Sequence, residues 1–312
     1  MAPLFGYHIP NFSFPGVQRK DLFDHVAGLA QAAESAGFDI VTVMDHFYQI
    51  PGVGSETEPM LEAYSTLGAL AACTRRVLLG TLVTGVTYRN PALLAKTVTT
   101  LDTLSKGRAL LGIGAAWNEA EHVGYGFDFP PIRERMDRLD EALRIAKLMF
   151  TDDRPSFSGR FYRIERALNS PRPLQPGGPK ILVGGTGEKR TLRLVARYAN
   201  LAHWFVMSVD DFKRKREVLE QHCKAEGRDA SSILLTIGAP VMLVRNSQDR
   251  DELVRRVSRE RLEMFKPAVP EVAAETLRSY LEAGVAGFTF NNPNLSTPEL
   301  IAVAGELKEM LS

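Results

Sequence analysis

The chain has 312 residues, 45% of them apolar and 24% charged, with 38 Lys plus Arg against 37 Asp plus Glu. That length suits one large α/β barrel or two ordinary domains, and the average composition argues against disorder and low complexity. A net charge of +1 gives no electrostatic case for nucleic acid or an anionic membrane as the main partner.

The start, MAPLFGYHIP, has no basic stretch ahead of an apolar core, and no apolar run reaches membrane-spanning length. Cys73 and Cys223 stand far apart and outside any CxxC spacing, so idle thiols in a reducing compartment are expected rather than a disulfide or a metal site. A soluble, cytoplasmic protein is the expectation.

In chain order, the first apolar strand is LFGYHI at 4–9. The helix that follows sets Leu22, Val26, Leu29 and Ala33 on one face and stops at Gly37, a suitable C-cap. DIVTVMD (39–45) and VLLGTLV (77–83) are the next strands. A second helix opens at Pro91 and ends by Gly107. RALLGIGA (108–115), KILVGG (180–185), LAHWFV (201–206), LLTIGAPVML (234–243) and GFTFNN (287–292) complete the strands. Helical patterns at TGEKRTLRLVARYA, SVDDFKRKREVLEQHCKAEG and STPELIAVAGELKEML alternate with them. Strands that are apolar throughout belong to parallel sheets covered on both faces. About eight such βα units favour a closed (β/α)8 TIM barrel over an open sheet. No linker divides residues 1–312, so one domain is expected, with insertions at 116–135, after the fourth strand, and at 151–179. The second insertion holds FSGRFYRI, a hairpin pattern turning at Gly159-Arg160.

In such a barrel the catalytic face is the rim where strands end. Asp45-His46-Phe47 closes the second strand on that rim, where a buried apolar run has no other reason to end in an acid, an imidazole and a ring. TLVTGVTYRNP, GIGAAWNEAEHVGYG and GGTGEKR lead off the third, fourth and fifth strands. Each is ordinary turn chemistry alone, but their convergence on one rim points to a ligand site. VGGTGEKRT (183–191) runs from a strand through small residues into a helix, a geometry that turns backbone N–H groups toward a phosphate. A plain βα turn with Glu188 in the first helical turn is the alternative. No GxGxxG fingerprint is present.

These segments resemble the luciferase-like flavin and deazaflavin oxidoreductases, and within them the coenzyme F420-dependent branch. The likeness rests on AAESAGFDIVTVMDHF, on the block from RVLLGTLVTGVTYRNP through GIGAAWNEAEHVGYGF, and on GGTGEKRTLRLVARYAN; it is less specific in the C-terminal third. It implies a dimeric (β/α)8 barrel with a deazaflavin, or alternatively FMN, across the rim and its phosphate near the fifth strand. Carried over residue by residue, Asp45 would touch the tricyclic ring and His46 would sit beside the reacting carbon as the catalytic group. An imidazole, titrating near neutrality, suits that proton work. Leu82–Val83 would be a cis peptide behind the cofactor, with Thr84 near the ring. Ala115 and Ala116 would let the backbone approach, Asn118 or Glu121 would lie near the cofactor, and Gly184, Gly185, Thr186 and Gly187 would hold the phosphate. Lys189, Arg190 and Arg193 would line the start of the path for the acidic tail of F420.

The chain departs from the pattern at one place. Sugar-phosphate dehydrogenases of the branch carry a catalytic Glu where Trp117 stands, so Trp117 is expected to shape a substrate pocket instead. Glu119, Glu121 and His122 follow, but the family uses no metal and none is expected. The basic runs KRKR and RRVSRER read as solvated helix faces. The resemblance implies hydride transfer to or from an unidentified small organic substrate. Two alternatives stand beside it: an FMN-dependent monooxygenase fed by a partner flavin reductase, and a flavin-binding barrel without turnover.

Overall fold

The structure, a computed structural model, describes residues 2–257, 259–290 and 295–312. Eight parallel strands close into a barrel: β1 (Leu4–Ile9), β2 (Ile40–Val43), β3 (Leu78–Thr81), β4 (Ala109–Gly114), β5 (Lys180–Gly184), β6 (Leu201–Trp204), β7 (Leu234–Gly238) and β8 (Gly287–Phe290). Each pairs with the next in chain order, and β8 returns to β1 with Leu4 opposite Gly287. This is the (β/α)8 fold anticipated from the alternating pattern.

Helices ring the barrel: α1 (Leu22–Ser35), α2 (Ala63–Cys73), α3 (Pro91–Leu104), α4 (Glu119–Tyr125), α5 (Ile132–Thr151), α6 (Thr191–Tyr198), α7 (Val209–Ala225), α8 (Ser247–Arg256), α9 (Arg259–Met264), α10 (Pro270–Glu282) and α11 (Pro298–Met310). The start of α3 shows why its boundary was readable. Asn90 accepts hydrogen bonds from the N–H groups of Ala92 and Leu93, and Pro91 takes the first position, where no N–H is needed. Gly37 and Gly107 close α1 and α3 at φ +82° and +86°, a region a side chain disfavours. The α1 face made by Leu22, Val26, Leu29 and Ala33 is buried.

Strand boundaries shift from the sequence expectation in places. The apolar run at 234–243 breaks into β7 and a separate strand at Val241–Leu243, because Pro240 has no N–H to give a ladder. β2 stops at Val43, leaving Met44 and Asp45 to the loop. Of the strand expected at 287–292, residues 291 and 292 lie outside the described residues. The insertion at 116–135 supplies α4 and the start of α5. The one at 151–179 holds the antiparallel hairpin of Phe157–Ser158 with Arg163–Ile164, whose turn is held by Glu141 of α5 through the N–H groups of Arg160, Phe161 and Tyr162.

Strand alternation sorts the side chains. Phe5, Val41, Leu79, Leu111, Val183, Trp204, Ile237 and Phe288 face the helices, in the main core. Ile40, Leu110, Leu182 and Leu201, joined by Leu4, Leu78 and Leu234, form a separate apolar layer inside the barrel. Two residues further along the strands, the inward positions change to Gly6, His8, Thr42, Gly112, Gly184, His203, Thr236 and Thr289. The barrel is dry at one end and polar at the other.

Candidate active site

Met44 to Tyr48 leave β2 at the polar end. The ring of His46 meets Glu121, the third residue of α4, with its Nδ1 2.8 Å from Oε2. Glu121 is fully buried, and its carboxylate can only accept. It takes the backbone N–H groups of Phe47 and Tyr48 on Oε1, and the hydroxyl of Tyr88 on Oε2 at 2.8 Å. Burial works to raise its pKa, but the hydrogen bond and charge of His46 and the Tyr48 and Tyr88 donors outweigh it and hold the acid below its ordinary value. The ionised Glu121 therefore fixes the proton of His46 on Nδ1. Nε2 has no hydrogen bond to the protein among the described residues, and 14% of the His46 side chain stays open.

Aromatic packing fastens this loop to α4. Phe47 stacks on Tyr125 at 4.6 Å and meets Tyr88 edge-on at 4.9 Å, and Tyr88 lies 4.9 Å from His122. Trp117 stands edge-on to His46 at 5.6 Å and is 56% exposed, so it forms a wall beside the imidazole. His122 turns inward instead, bonded through Nδ1 to the Asn118 carbonyl and through Nε2 to Thr87. Glu119, Glu121 and His122 do not converge, and the described residues hold no group of three or more His, Cys, Asp or Glu placed to bind a metal ion.

The side chains of Asp45 and Thr84 are held by the protein itself. The Asp45 carboxylate does not face the rim: it is 2% exposed, and Arg89 grips both oxygens at 2.6 and 2.9 Å. Arg89 also reaches Glu62 at 2.6 Å and lies over the Tyr64 ring. Burial would weaken the guanidinium, but the Asp45 charge holds its pKa above the ordinary value. Successive residues leaving a strand point to opposite faces, so when His46 faces the opening Asp45 faces the wall. Thr84 is fully buried, its hydroxyl tied to Tyr64 at 2.7 Å and Thr81 at 2.8 Å.

The expected cis peptide at Leu82–Val83 is present. Val83 lies over glycines of the neighbouring strands, and a Cβ at Gly114 or Gly184 would come within 2.9 or 3.0 Å of its methyls. Leu82 and Val83 are half-buried. Ala115 and Ala116 follow, half-buried; Ala116 adopts φ +59°, uncommon for a residue with a side chain, and Arg135 holds its carbonyl at 3.1 Å. Asn118 begins α4 without spending its side chain on a cap.

Gly184, Gly185, Thr186 and Gly187 join β5 to α6 next to this bulge. Gly185 has φ +113°, and a Cβ at Gly187 would meet the Thr191 hydroxyl at 2.8 Å. Arg190 gives α6 no side-chain cap, although the Gly187 carbonyl takes the N–H of Leu192 at 3.0 Å. The expected basic path is narrower than the sequence implied. The helical turn carries Arg190 to Asp137 and Arg193 to Glu226, and of the three cations only Lys189 lacks an ion pair among the described residues.

Sequence reasoning missed Arg89 and Tyr88, and did not see that Glu121 and His46 pair. Glu121 lies 75 residues from His46, a separation at which one sequence carries no pairing signal.

A family model described as luciferase-like monooxygenase matches residues 4–303. The chain belongs to the luciferase-like monooxygenase family. An F420-dependent glucose-6-phosphate dehydrogenase of Kineococcus radiotolerans is 38% identical over 180 residues, covering 57% of this luciferase-like chain and 50% of that protein. The chain thus spans about half the length of that curated relative. An F420-dependent secondary alcohol dehydrogenase, solved with an F420-acetone adduct, superposes with a TM-score of 0.80 at 19% identity, covering 100% of both chains. EDTA monooxygenase from Chelativorans sp. BNC1 superposes with a TM-score of 0.83 at 14% identity, covering 100% of this chain and 95% of that one. At such identities these two speak for the luciferase-like barrel alone.

Proposed function

We propose that this protein is a coenzyme F420-dependent oxidoreductase that moves a hydride to or from a small organic substrate at the mouth of the barrel. The observation that carries the reading is the His46–Glu121 pair beside the Leu82–Val83 bulge and the glycine loop at 184–187. The kinship with F420-dependent glucose-6-phosphate dehydrogenases supports it.

The residues present fit the group. The loop Gly184, Gly185, Thr186 and Gly187, where backbone conformation and space exclude larger side chains, holds the phosphate with the uncapped end of α6. Leu82 and Val83 back the ring, Ala115 and Ala116 bring the main chain close, and the free Asn118 amide serves as a polar contact. Asp45 and Thr84 contribute through their backbone, Asp45 being anchored by Arg89. Bound there, the deazaflavin supplies a carbon centre that gives or takes a hydride. His46 is the catalytic residue: Glu121 keeps its Nδ1 protonated, so Nε2 is left to hold or deliver a proton at the mouth. Trp117 walls the substrate pocket and shields that exchange from water. Residues 1–312 act as one domain, in a cytoplasmic homodimer that takes a small-molecule substrate and neither nucleic acid nor a membrane. The charge of +1 supports the absence of a polyanionic partner, and no described helix is long and apolar enough to cross a membrane.

Titration of the purified protein with F420 and with FMN tests the reading. F420 is expected to bind at least tenfold tighter, a difference of about 1.4 kcal/mol. Equal or tighter FMN binding makes the protein an FMN-dependent monooxygenase that needs a partner reductase, and binding without turnover makes it a flavin-binding barrel.

A further inference from the structure

Two histidines inside the barrel play no part in that mechanism. His8 is the inward residue at the top of β1, paired in register with Thr42, and its Nδ1 lies 2.9 Å from the Thr42 hydroxyl. His203 is the inward residue of β6. It sits between Gly184 of β5 and Thr236 of β7, and its Nδ1 lies 3.1 Å from the Thr236 hydroxyl. The structure thus holds each imidazole by one nitrogen, on a neighbouring strand, with the other nitrogen unspent. Neither Nε2 has a hydrogen bond to the protein among the described residues. Neither Nε2 is among the buried, unpartnered side-chain atoms of the described residues. Both side chains face the barrel interior at its polar end, His8 6% exposed and His203 half-buried.

We propose that His8 and His203 are the floor of the substrate pocket, a pair of uncharged hydrogen-bonding groups that selects a neutral alcohol or carbonyl compound over a phosphate or carboxylate. This names the substrate class of the oxidoreductase proposed above and rests on it for the reaction, though not for the binding.

The hydrogen-bond directions decide what the floor can read. Thr236 gives its hydroxyl proton to the Ala202 carbonyl at 3.1 Å, so toward His203 it can only accept. His203 must then carry its proton on Nδ1, and its Nε2 presents a lone pair to the mouth. The Thr42 hydroxyl has no other partner among the described residues, so the His8–Thr42 bond can run either way and Nε2 of His8 can donate. One acceptor and one potential donor suit a hydroxyl group, which gives its proton to His203 and takes one from His8. A carbonyl uses the His8 donor alone. A carboxylate or phosphate brings only lone pairs, which meet the lone pair of His203, and a charge that this site does not neutralise.

The surroundings agree. Burial holds His8 near pKa 3, with the nearby charges of His203 and His46 pushing the same way, and burial holds His203 near 4, so both are neutral at pH 7. Two cations around the mouth are paired with acids, Arg89 with Asp45 and Glu62 and Arg190 with Asp137; Arg135 holds the Ala116 carbonyl above the Phe129 ring, and Lys189 stands beyond the glycine loop. Val83, Val206 and Trp117 add apolar wall.

The test needs no cofactor. Protein labelled with nitrogen-15 in its histidines is titrated with 2-propanol, cyclohexanol, cyclohexanone and, separately, glucose 6-phosphate, and the imidazole nitrogens are followed by NMR. At least one neutral probe is expected to shift both Nε2 signals saturably, with glucose 6-phosphate shifting neither. In His203→Phe the same probe is expected to bind at least tenfold more weakly. If none of the neutral probes moves either signal, or if glucose 6-phosphate binds more tightly than all of them, the proposal is overturned. The wild-type titration decides even where the variant does not fold. Because F420 is absent from every sample, failure here leaves the cofactor reading standing, and failure of F420 to bind leaves this one standing.

Discussion

The two ends of the barrel interior are built from the same strands and do opposite work. At one end Ile40, Leu110, Leu182 and Leu201 pack with Leu4, Leu78 and Leu234 into a dry plug. Further along, the same strands offer His8, Thr42, Gly112, Gly184, His203 and Thr236, while the loop after β2 adds His46 and α4 adds Glu121. Burial of apolar surface stabilises the first end at about 25 cal/mol per Å². The second end gives up much of that gain: its glycines supply no side chain, and its imidazoles are buried at a desolvation cost. In this barrel the plug carries stability and the mouth carries chemistry, and each can be attacked separately.

The largest expected effect is on turnover. His46→Ala is expected to lower kcat by about 10²–10⁴-fold, with F420 affinity within about twofold of wild type and little change in Tm. Unchanged kcat at saturating cofactor would remove His46 from the mechanism.

At the other end Leu110, fully buried in the plug, is the converse case. Leu110→Ala is expected to cost about 2–5 kcal/mol of unfolding free energy in a denaturant titration, by lost burial and a cavity. F420 affinity in the folded variant should hardly move. A stable variant with collapsed cofactor affinity would mean that the two ends are not separable in this way.

The smallest effect is a slope with pH. His8 and His203 have folded-state pKa values near 3 and 4, below the 6.5 of an ordinary imidazole. Between these values and 6.5 the unfolded chain binds more protons than the folded one, so stability falls as pH falls through that window and is fully present above it. Each buried imidazole contributes up to about 1.4 kcal/mol per pH unit there. His203→Phe should therefore flatten the dependence of stability on pH between about 6.5 and 4, measured by urea unfolding in parallel with wild type. Parallel slopes would show that His203 is not held neutral.

The plug was legible in the sequence because its cause is periodic. Strands apolar throughout, helices started by Asn90-Pro91 and stopped by Gly37 or Gly107, and the regular alternation of the two announce a barrel. The cis bond at Leu82–Val83 was reached through a resemblance, since no spacing rule predicts it, whereas the glycine loop at 184–187 was readable as a strand running through small residues into a helix. Asp45 and His46 were both set beside the ring by the resemblance, carried over residue by residue. Their side chains leave the backbone on opposite sides, and the grip of Arg89 on Asp45, 44 residues away, has no signal in one sequence. Glu121 was noticed among several acids, but what distinguishes it is four donors converging from Phe47, Tyr48, Tyr88 and His46, a property of the folded loops alone. The inward pairs His8–Thr42 and His203–Thr236 depend on the register between neighbouring strands, which one chain's letters do not record.

Amide hydrogen exchange with and without saturating F420 measures the division of labour most directly. Protection on F420 binding is expected at residues 44–48, 82–86, 114–118 and 184–191, with the strand segments around Leu4, Leu78, Leu110 and Leu234 unchanged beyond any global stabilisation. Protection confined to other surfaces, or no change at saturating F420, would contradict a cofactor site at the barrel mouth.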